Sequence, residues 1–495
     1  MTDASRSTAQ FDAEQVGYKQ TLGGRQVQMI AIGGAIGTGL FLGSASRLHS
    51  NGPALLISYV VTGLVAYFLM RALGELVLYR TSSGAFVSWM REFFGEKGAY
   101  VTGWLYWLNW ALTGTTELSA VGVYVRKWAP HMPAWLTALI ALIVVLVVNM
   151  LSAKMFGEFE FWASVLKVGA IVLFLIVGIV VVVGGVHLGT HQAGFSNLWN
   201  NPGGFWPTAD PYHWYGPILV MSGVVFAYSA IELVGVAAGE MKDPEKEVPK
   251  AVKAVIFRIG VFYCGSILLL CAMLPTRQYG ATEPIESPFV TVFDKLGLSG
   301  MADVINVVLI VAAMSSLNSG LYSTGRVLRS LGMSFQAPQF TIKMNRGGVP
   351  WAGIALTAVV YVLGIVLNAV TPEKAFNIAL EAAAVGVVFT WSTIFLCQLR
   401  LRQLVNRGVI PPGKFQAPGY PWTSLFGLAF LIFVIVAMAI DGWISNPDYS
   451  DKTDFWVVVG GIPIIFAAIT VGWFFVRDKV SENTNGQLQS IWAGK

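Results

Sequence analysis

The sequence predicts an all-α integral membrane protein with twelve transmembrane helices, and three observations support this fold class. Of the 495 residues, 55% are hydrophobic and only 12% are charged, whereas about 25% of the residues in a soluble domain are charged. The apolar residues form runs about as long as the roughly 20 residues that a membrane helix needs. Helix-breaking residues interrupt the first and the sixth of these runs. The solvent for most of the chain is therefore expected to be lipid.

A single domain over residues 26–480 contains all the predicted spans. The polar segments 1–25 and 481–495 are expected to be tails, and residues 1–25 lack the apolar core of a signal peptide. Residues 79–97 mix aromatic and charged side chains, which favours an interfacial helix. The twelve predicted spans are 26–46, 53–78, 98–125, 133–152, 160–185, 215–239, 254–275, 300–325, 351–370, 375–398, 421–443 and 455–476.

The distribution of lysine and arginine predicts the orientation in the membrane. Dense basic clusters occur at residues 242–258, 326–346 and 400–414, and loops with such clusters stay in the cytosol. Both termini are then expected to be cytosolic. The net charge of +5 follows from this bias, so we expect no nucleic acid partner.

The positions of the helix breakers indicate an internal symmetry. If residues 26–185 and 215–400 form two repeats of five spans, both interruptions fall in the first helix of a repeat. Five is an odd number, so the second repeat must be inverted relative to the first. Interrupted helices at matching positions of two repeats indicate a transporter site near the bilayer midplane. The last two spans, within 421–476, would be peripheral.

The first interruption is the glycine-rich segment GGAIGTGLF, residues 33–41. Unwound backbone is tolerated at membrane depth only where it lines a cavity or is buried in protein. Freed amides of Gly37, Thr38 and Gly39 would suit a carboxylate, for the reason that helix N-termini bind anions. Close helix packing through small residues explains the same glycines. A dinucleotide fingerprint does not, because no strand precedes them.

The second interruption is FAYSAIELVG, where Ser229 and Glu232 disturb an apolar run. Carbonyl groups freed near Phe226 and Ser229 would accept hydrogen bonds from an ammonium group. Carboxylate donors in the first break and ammonium acceptors in the second together describe a site for a zwitterion such as an α-amino acid.

Three charged residues inside predicted spans are candidates for proton coupling, because a charge in the bilayer is costly and is a functional candidate by default. Lys167 lies about seven residues, or roughly 10 Å, into the fifth span. It either reaches back to the interface or remains as a buried ammonium that replaces a sodium ion or exchanges a proton. Glu117, among threonines in the third span, and Glu232 are the two candidate carboxylates.

Other polar residues within spans carry weaker signals. Arg71 and Glu75 are predicted to pair on a helix face, and Glu240 is assigned to a cytosolic gate or loop. Glu381 has no assigned role beyond a candidate one in side-chain recognition. The polar segment 315–319 is compatible with helix packing or with substrate contact.

Enzymatic chemistry finds no support in the sequence. None of the five histidines has the spacing of a metal site, and the three cysteines offer neither a disulfide framework nor a paired metal motif. We therefore expect neither a metal, nor a cofactor, nor catalytic residues.

Four long segments carry a family resemblance. They are RQVQMIAIGGAIGTGLFLG (25–43), RALGELV (71–77), FAYSAIELVGVAAGEMKDPEKEVPKA (226–251) and SSLNSGLYSTGRVLRS (315–330). These segments resemble the bacterial amino acid transporter family of the amino acid–polyamine–organocation superfamily, and the resemblance extends from about residue 17 to residue 480.

The resemblance implies a five-plus-five inverted repeat in the cell membrane, alternating access and proton symport. By position, Thr38 and Gly39 correspond to the carboxylate-binding amides, and Ala35 is similar to the residue whose carbonyl receives the ammonium. Phe226 occupies an aromatic gating position. Lys167 matches a lysine taken to replace sodium. Glu117 matches a glutamate in the third span of the family. The carbonyl groups of Phe226 and Ser229 are expected to help receive the ammonium group.

Overall likeness within the family, including FEFWASVLKVGAIV (159–172), favours import of a polar neutral amino acid, with L-asparagine first. Glu381 departs from the neutral residue expected for that substrate. Two other functions remain open at this point. One is a permease or exchanger for another neutral or aromatic amino acid or for GABA, and the other is a membrane sensor that binds an amino acid without transport.

Overall fold

The structure is a computed structural model, and it describes residues 18, 22–34, 36–200, 204–206, 213–279, 286–370, 372–444 and 453–492. The described chain is predominantly helical, with one two-stranded hairpin. The elements of the amino-terminal half are α1 (Gly24–Gly33), α2 (Thr38–Phe41), α3 (Ser44–Asn51), α4 (Leu55–Tyr79), α5 (Phe86–Arg126), α6 (Ala134–Leu151), α7 (Ala153–Val183), β1 (His187–Leu188), β2 (His191–Gln192) and α8 (Asn197–Asn200).

The described carboxy-terminal half includes a π-helical segment among its α-helices. Short 3₁₀ turns occupy Gly52–Ala54, His213–Tyr215, Ala238–Glu240, Thr276–Gln278 and Gln339–Ile342. The elements are α9 (Gly216–Leu219), α10 (Met221–Ala227), α11 (Leu233–Ala237), α12 (Pro244–Phe257), the π-helical segment Arg258–Cys264, α13 (Gly265–Met273), α14 (Pro288–Lys295), α15 (Ser299–Met333), α16 (Trp351–Val370), α17 (Pro372–Asn406), α18 (Trp422–Ile444), α19 (Thr453–Val459) and α20 (Gly461–Trp492).

Local sequence explains where two of the helices at the predicted cytosolic side begin. The hydroxyl of Ser152 accepts a hydrogen bond from the amide of Met155, which caps α7. Asp243 caps α12 in the same way through the amide of Lys246, and Pro244 occupies the first position of that helix, where no amide is needed.

Eight of the described helical stretches are long and apolar enough to cross a membrane by length and composition. They coincide with eight of the twelve predicted spans. The first and sixth spans are divided by breaks, so each half is short, and the ninth contains a shorter apolar helix at Trp351–Val366. The third carries many aromatic and polar side chains. The chain is thus a multi-pass helical membrane protein, and the exact count of twelve stays a prediction.

The centre of the bundle is formed by α5, α15 and α17. Helix α5 packs along both of the others, and α1 packs against α7. Residues Val180 and Val183 of α7 are exposed, as expected for a surface that faces lipid tails. The predicted interfacial helix forms the start of α5, which is kinked at Gly95, where the positive φ of 80° breaks the helical path.

Candidate functional site

The first predicted break is present between α1 and α2. Helix α1 ends at Gly33, and Gly37 is extended, with φ −137° and ψ −161°, before Thr38 begins α2. The first amides of a helix have no intrahelical acceptor, so the turn at Thr38 leaves donors that face away from its own helix. Ala35, predicted to supply a carbonyl group, lies outside the described residues.

The second predicted break is present between α10 and α11, over residues 228–232. Ala230 has a φ of +67°, which is a strained conformation for a residue with a Cβ atom. The carbonyl of Phe226 accepts the amide of Ser229 at 3.0 Å, so only its second lone pair remains for an ammonium group.

The two breaks lie directly against each other. A Cβ atom added at Gly39 would lie 2.7 Å from the Cα atom of Ala227 and 3.0 Å from the Cδ1 atom of Phe226. Contacts this short leave no room for a side chain, so glycine is required at position 39. The predicted subsites for a carboxylate and for an ammonium group are therefore neighbours in space. A zwitterion, which carries both groups on one small molecule, requires such an arrangement.

Glu117 of α5 lies at the first break and is 2% exposed. A Cβ atom at Gly37 would lie 3.3 Å from its Oε1 atom, and Thr38 and Ser316 flank the carboxyl group. Its Oε2 atom has no hydrogen-bond partner in the part of the chain that is described. Buried polar atoms are normally paired, so this oxygen atom is available to a bound molecule or to a proton.

Lys167 of α7 is fully buried. Its Nζ atom donates a hydrogen bond to the Oγ atom of Ser315 on α15, at 3.0 Å. The interpretation of an ammonium that reaches the interface is therefore wrong, because the side chain has no exposed surface and its ammonium group is hydrogen-bonded to a neighbouring helix. The charged groups that face Lys167 are Glu160, Glu117 and Arg258.

Glu232, the third predicted coupling residue, lies in the second break and is fully buried. The indole Nε1 atom of Trp391 on α17 donates a hydrogen bond to its Oε2 atom at 3.3 Å, and its Oε1 atom has no partner among the described residues. Glu232 is not one of the charged neighbours of Lys167. The structure thus brings Lys167 and Glu117 together and leaves Glu232 apart from them.

Glu160 was missed by the sequence analysis. It lies on α7, is fully buried, and its carboxylate accepts hydrogen bonds from Ser315 and Asn318. The signal was available, because Glu160 precedes Lys167 by seven residues, which is two turns of one helix face. Those two hydrogen bonds also give the polar segment of α15 a definite role.

Glu240, which the sequence assigns to a cytosolic gate or loop, forms a buried ion pair with Arg326 of α15. The hydroxyl of Tyr322 donates to the same carboxylate at 3.0 Å, and the ring of Tyr18 lies 5.5 Å from the Arg326 guanidinium carbon. Leu22 pairs with the backbone on both sides of Met241. Chain elements from both halves therefore meet at this end of the bundle.

The predicted pair of Arg71 with Glu75 is wrong. The Nε atom of Arg402 lies 2.5 Å from Glu75, and Arg71 instead donates to the carbonyl of Gln416 and lies over the ring of Phe415. Arg402, at the end of α17, is distant from Glu75 in sequence. Its guanidinium group nevertheless lies directly beside the Glu75 carboxylate and takes the place predicted for Arg71. Glu381 is partly buried and contributes to the electrostatic environment of Arg47.

Comparison with known proteins decides the family. The model of the amino acid permease family matches residues 26–485. The chain belongs to the amino acid permease family. It is 48% identical over 482 residues to L-asparagine permease 1 of Mycobacterium tuberculosis strain H37Rv, an alignment that covers 97% of this chain and 95% of that protein.

Other relatives agree with this assignment. The L-asparagine permease of Escherichia coli K12 is 48% identical, with 95% of this chain and 91% of that protein covered. That of Streptomyces coelicolor is 46% identical, with 96% and 94% covered. The Eremococcus coleocola manganese transporter matches in structure with a TM-score of 0.58 and 12% identity, over 93% of this chain and 94% of that one. This likeness supports the transporter fold alone. The chain is an amino acid transporter and not an enzyme.

Proposed function

We propose that this protein imports L-asparagine by proton symport. The observation that carries the proposal is the identity of 46–48% to proteins named L-asparagine permease over nearly the whole chain. At such identity, with the same length, the substrate class is the first hypothesis to test. The two adjacent helix breaks support the proposal, because they offer a location for a bound zwitterion.

In this proposal the amino acid bridges the two breaks. The amides of Thr38 and Gly39, after the extended Gly37, receive the substrate carboxylate. The ammonium group is received by the carbonyl groups of Ala35, Phe226 and Ser229. The direct contact of Gly39 with Ala227 supports this arrangement, because it holds the two subsites within the span of one zwitterion.

The transport cycle is proposed to be alternating access in a twelve-span protein with an inverted repeat and cytosolic termini. One group of helices would rock against the rest around the site, as in folds of this kind. Lys167 and Glu117 are proposed to link a proton to closure, since they lie close together beside the first break. Glu232 remains a third candidate, with its own free oxygen atom in the second break.

The test is uptake of labelled L-asparagine into proteoliposomes, with and without an inward proton gradient. Accumulation that requires the gradient and is abolished by a protonophore is the expected result. The control is the same vesicle without protein. A competition panel of neutral, aromatic and acidic amino acids and GABA, measured in the same vesicles, defines the substrate.

Each other outcome contradicts a definite part of the proposal. Uptake only into vesicles preloaded with amino acid would make the protein an exchanger. Saturable binding with no uptake would make it a sensor. Uptake that another amino acid blocks better than L-asparagine would change the substrate but keep the coupling.

A further inference from the structure

Lys167 has two carboxylates near it, and the proposed function uses only one of them. Glu117 lies beside the first break, whereas Glu160 lies two turns earlier on the same helix as Lys167. Both carboxyl groups are buried, at 2% and 0% exposure. One ammonium group cannot neutralise two ionised carboxylates in an apolar interior without a large desolvation cost. The hydrogen bonds around Lys167 indicate which of the two carboxylates its positive charge compensates.

Glu160 and Lys167 are connected through one hydroxyl group. The Oγ atom of Ser315 accepts from the Nζ atom of Lys167 at 3.0 Å and donates to the Oε2 atom of Glu160 at 2.6 Å. The Nδ2 atom of Asn318 donates to Oε1 of Glu160 at 2.8 Å. Both oxygen atoms of Glu160 thus act as acceptors, and the short hydroxyl bond is typical of an ionised carboxylate.

A second asparagine holds this arrangement from a third helix. The Nδ2 atom of Asn149 on α6 donates to the carbonyl and to the Oδ1 atom of Asn318, at 2.7 and 2.9 Å. Because its Oδ1 atom is used in this way, the amide of Asn318 presents its NH₂ group to Glu160. The orientation that favours the charged carboxylate is therefore fixed by α6, α7 and α15 together.

Glu117 differs from Glu160 in its partners. Ser316 and Thr38 hydrogen-bond to its carboxyl group, but one of its oxygen atoms has no partner among the described residues, and Lys167 donates to Ser315 rather than to it. The cation that acts on Glu117 is Lys167, whereas Arg258, which also lies near Lys167, donates to the carbonyl of Ala31 at the end of α1. With Lys167 bridged to Glu160, a proton on Glu117 removes the remaining uncompensated charge.

We propose that Glu160 is a positioning residue that serves as the resting counter-ion of Lys167 and thereby leaves Glu117 free to carry the transported proton. The proposal rests on the proposed proton symport. In it, a proton from the outer solution binds the Glu117 carboxylate and leaves to water on the cytosolic side. When Glu117 is ionised, its charge draws the Lys167 ammonium away from Ser315, and protonation returns it to Glu160.

The test separates coupling from binding in the variant Glu160→Gln. Without its counter-ion, Lys167 pairs with Glu117 and keeps that carboxylate ionised. We expect gradient-driven accumulation of labelled L-asparagine to fall at least about fivefold, the size of a modest coupling energy, and its dependence on external pH to flatten. Counterflow exchange without a gradient is expected to remain close to the wild-type rate.

A matched control lies two residues away on the same helix. Glu158 is partly exposed and pairs with Arg25 at 2.5 Å, so Glu158→Gln removes a carboxylate without touching the Lys167 site and is expected to behave as wild type. If Glu160→Gln does not fold, Ser315→Ala, which removes only the bridging hydroxyl, is expected to give the same flattened pH dependence in folded protein.

The outcomes distinguish the two proposals. If the wild type shows no gradient-driven accumulation, proton symport fails and this inference fails with it. If the wild type responds to the gradient and Glu160→Gln responds equally, only the role of Glu160 is overturned. Equal loss of exchange and accumulation in folded Glu160→Gln and Ser315→Ala would also overturn it, because that pattern indicates a purely structural residue.

Discussion

Helix α15 carries two buried charge clusters that are built differently. At Ser315, a hydroxyl group stands between Lys167 and Glu160. Eleven residues further along, about 16 Å at the helical rise, Arg326 contacts Glu240 directly. A direct buried pair is costly to separate because each charge would be left without compensation, whereas a bridged charge moves between partners with less disruption. The direct pair suits a closure and the bridged pair suits a switch.

The aromatic surroundings of the two clusters differ in the same sense. Tyr322 stacks on Phe156 with 3.8 Å between ring centroids, and its ring lies 3.3 Å from the Arg326 guanidinium carbon. Cation–π contacts strengthen when they are shielded from water. At the other cluster the hydrogen-bond partners are Ser315 for Lys167 and Asn318 for Glu160. The three predictions that follow test this contrast between a fixed and a movable charge.

The largest effect on stability is expected for Arg326→Gln. It leaves Glu240 buried without its cation, and breaking a buried pair costs about 3–5 kcal/mol. The melting temperature of the purified protein should fall clearly, with uptake reduced in parallel. The double variant Glu240→Gln with Arg326→Gln removes both charges and should recover most of the stability. If the single and double variants melt alike, the direct pair does not hold this end closed.

Lys167→Met is expected to act on coupling more than on stability. Ser315 and Asn318 still hydrogen-bond to Glu160 in this variant, so the melting temperature should fall less than for Arg326→Gln. Gradient-driven accumulation should fall at least about tenfold, which corresponds to about 1.4 kcal/mol of lost coupling. Lys154→Met, at the exposed start of the same helix, is the control. A variant that accumulates substrate normally would remove Lys167 from the mechanism.

The smallest effect is expected for Tyr322→Phe. The substitution removes the hydroxyl that donates to Glu240 and keeps the ring on Phe156 and Arg326. A hydrogen bond to a charged group contributes about 1.5–3 kcal/mol, and the remaining ion pair should limit the loss to the lower part of that range. Thermal unfolding measures it, with Tyr79→Phe, whose hydroxyl donates to Glu92, as a matched control. A loss of stability as large as that of Arg326→Gln would contradict the view that the ion pair contributes more to stability than this hydrogen bond.

Sequence patterns identified the features that depend on local chemistry. The glycines of GGAIGTGLF predicted the first break, and Ser229 with Glu232 predicted the second. Both predictions were possible because a helix-breaking residue disturbs the backbone at its own position. Eight apolar runs reappear as helices able to span a membrane. The family assignment, carried by long motifs, is confirmed by the match over residues 26–485.

Features that depend on which helices meet could not be obtained in this way. Glu75 has Arg402 as its partner rather than Arg71 because a helix more than 300 positions away brings the guanidinium to it. The spacing of Glu160 from Lys167 places both on one helix face, but the hydrogen bonds that make Glu160 a counter-ion come from Ser315 and Asn318 on another helix. The depth of Lys167 was ambiguous for the same reason, since periodicity does not tell how far a neighbouring helix covers a side chain.

The short backbone pairing between Leu22 and the segment around Met241 has a practical consequence. The amide of Leu22 donates to the carbonyl of Glu240 at 3.1 Å, and the amide of Lys242 donates to the carbonyl of Leu22 at 3.2 Å. Backbone hydrogen bonds therefore connect the residue just before the first helix to the residues that follow α11, the helix after the second break. We expect a displacement of that half-helix to move the amino-terminal region through these two hydrogen bonds, so a spectroscopic label placed near residue 22 should report on the transport cycle from outside the substrate site.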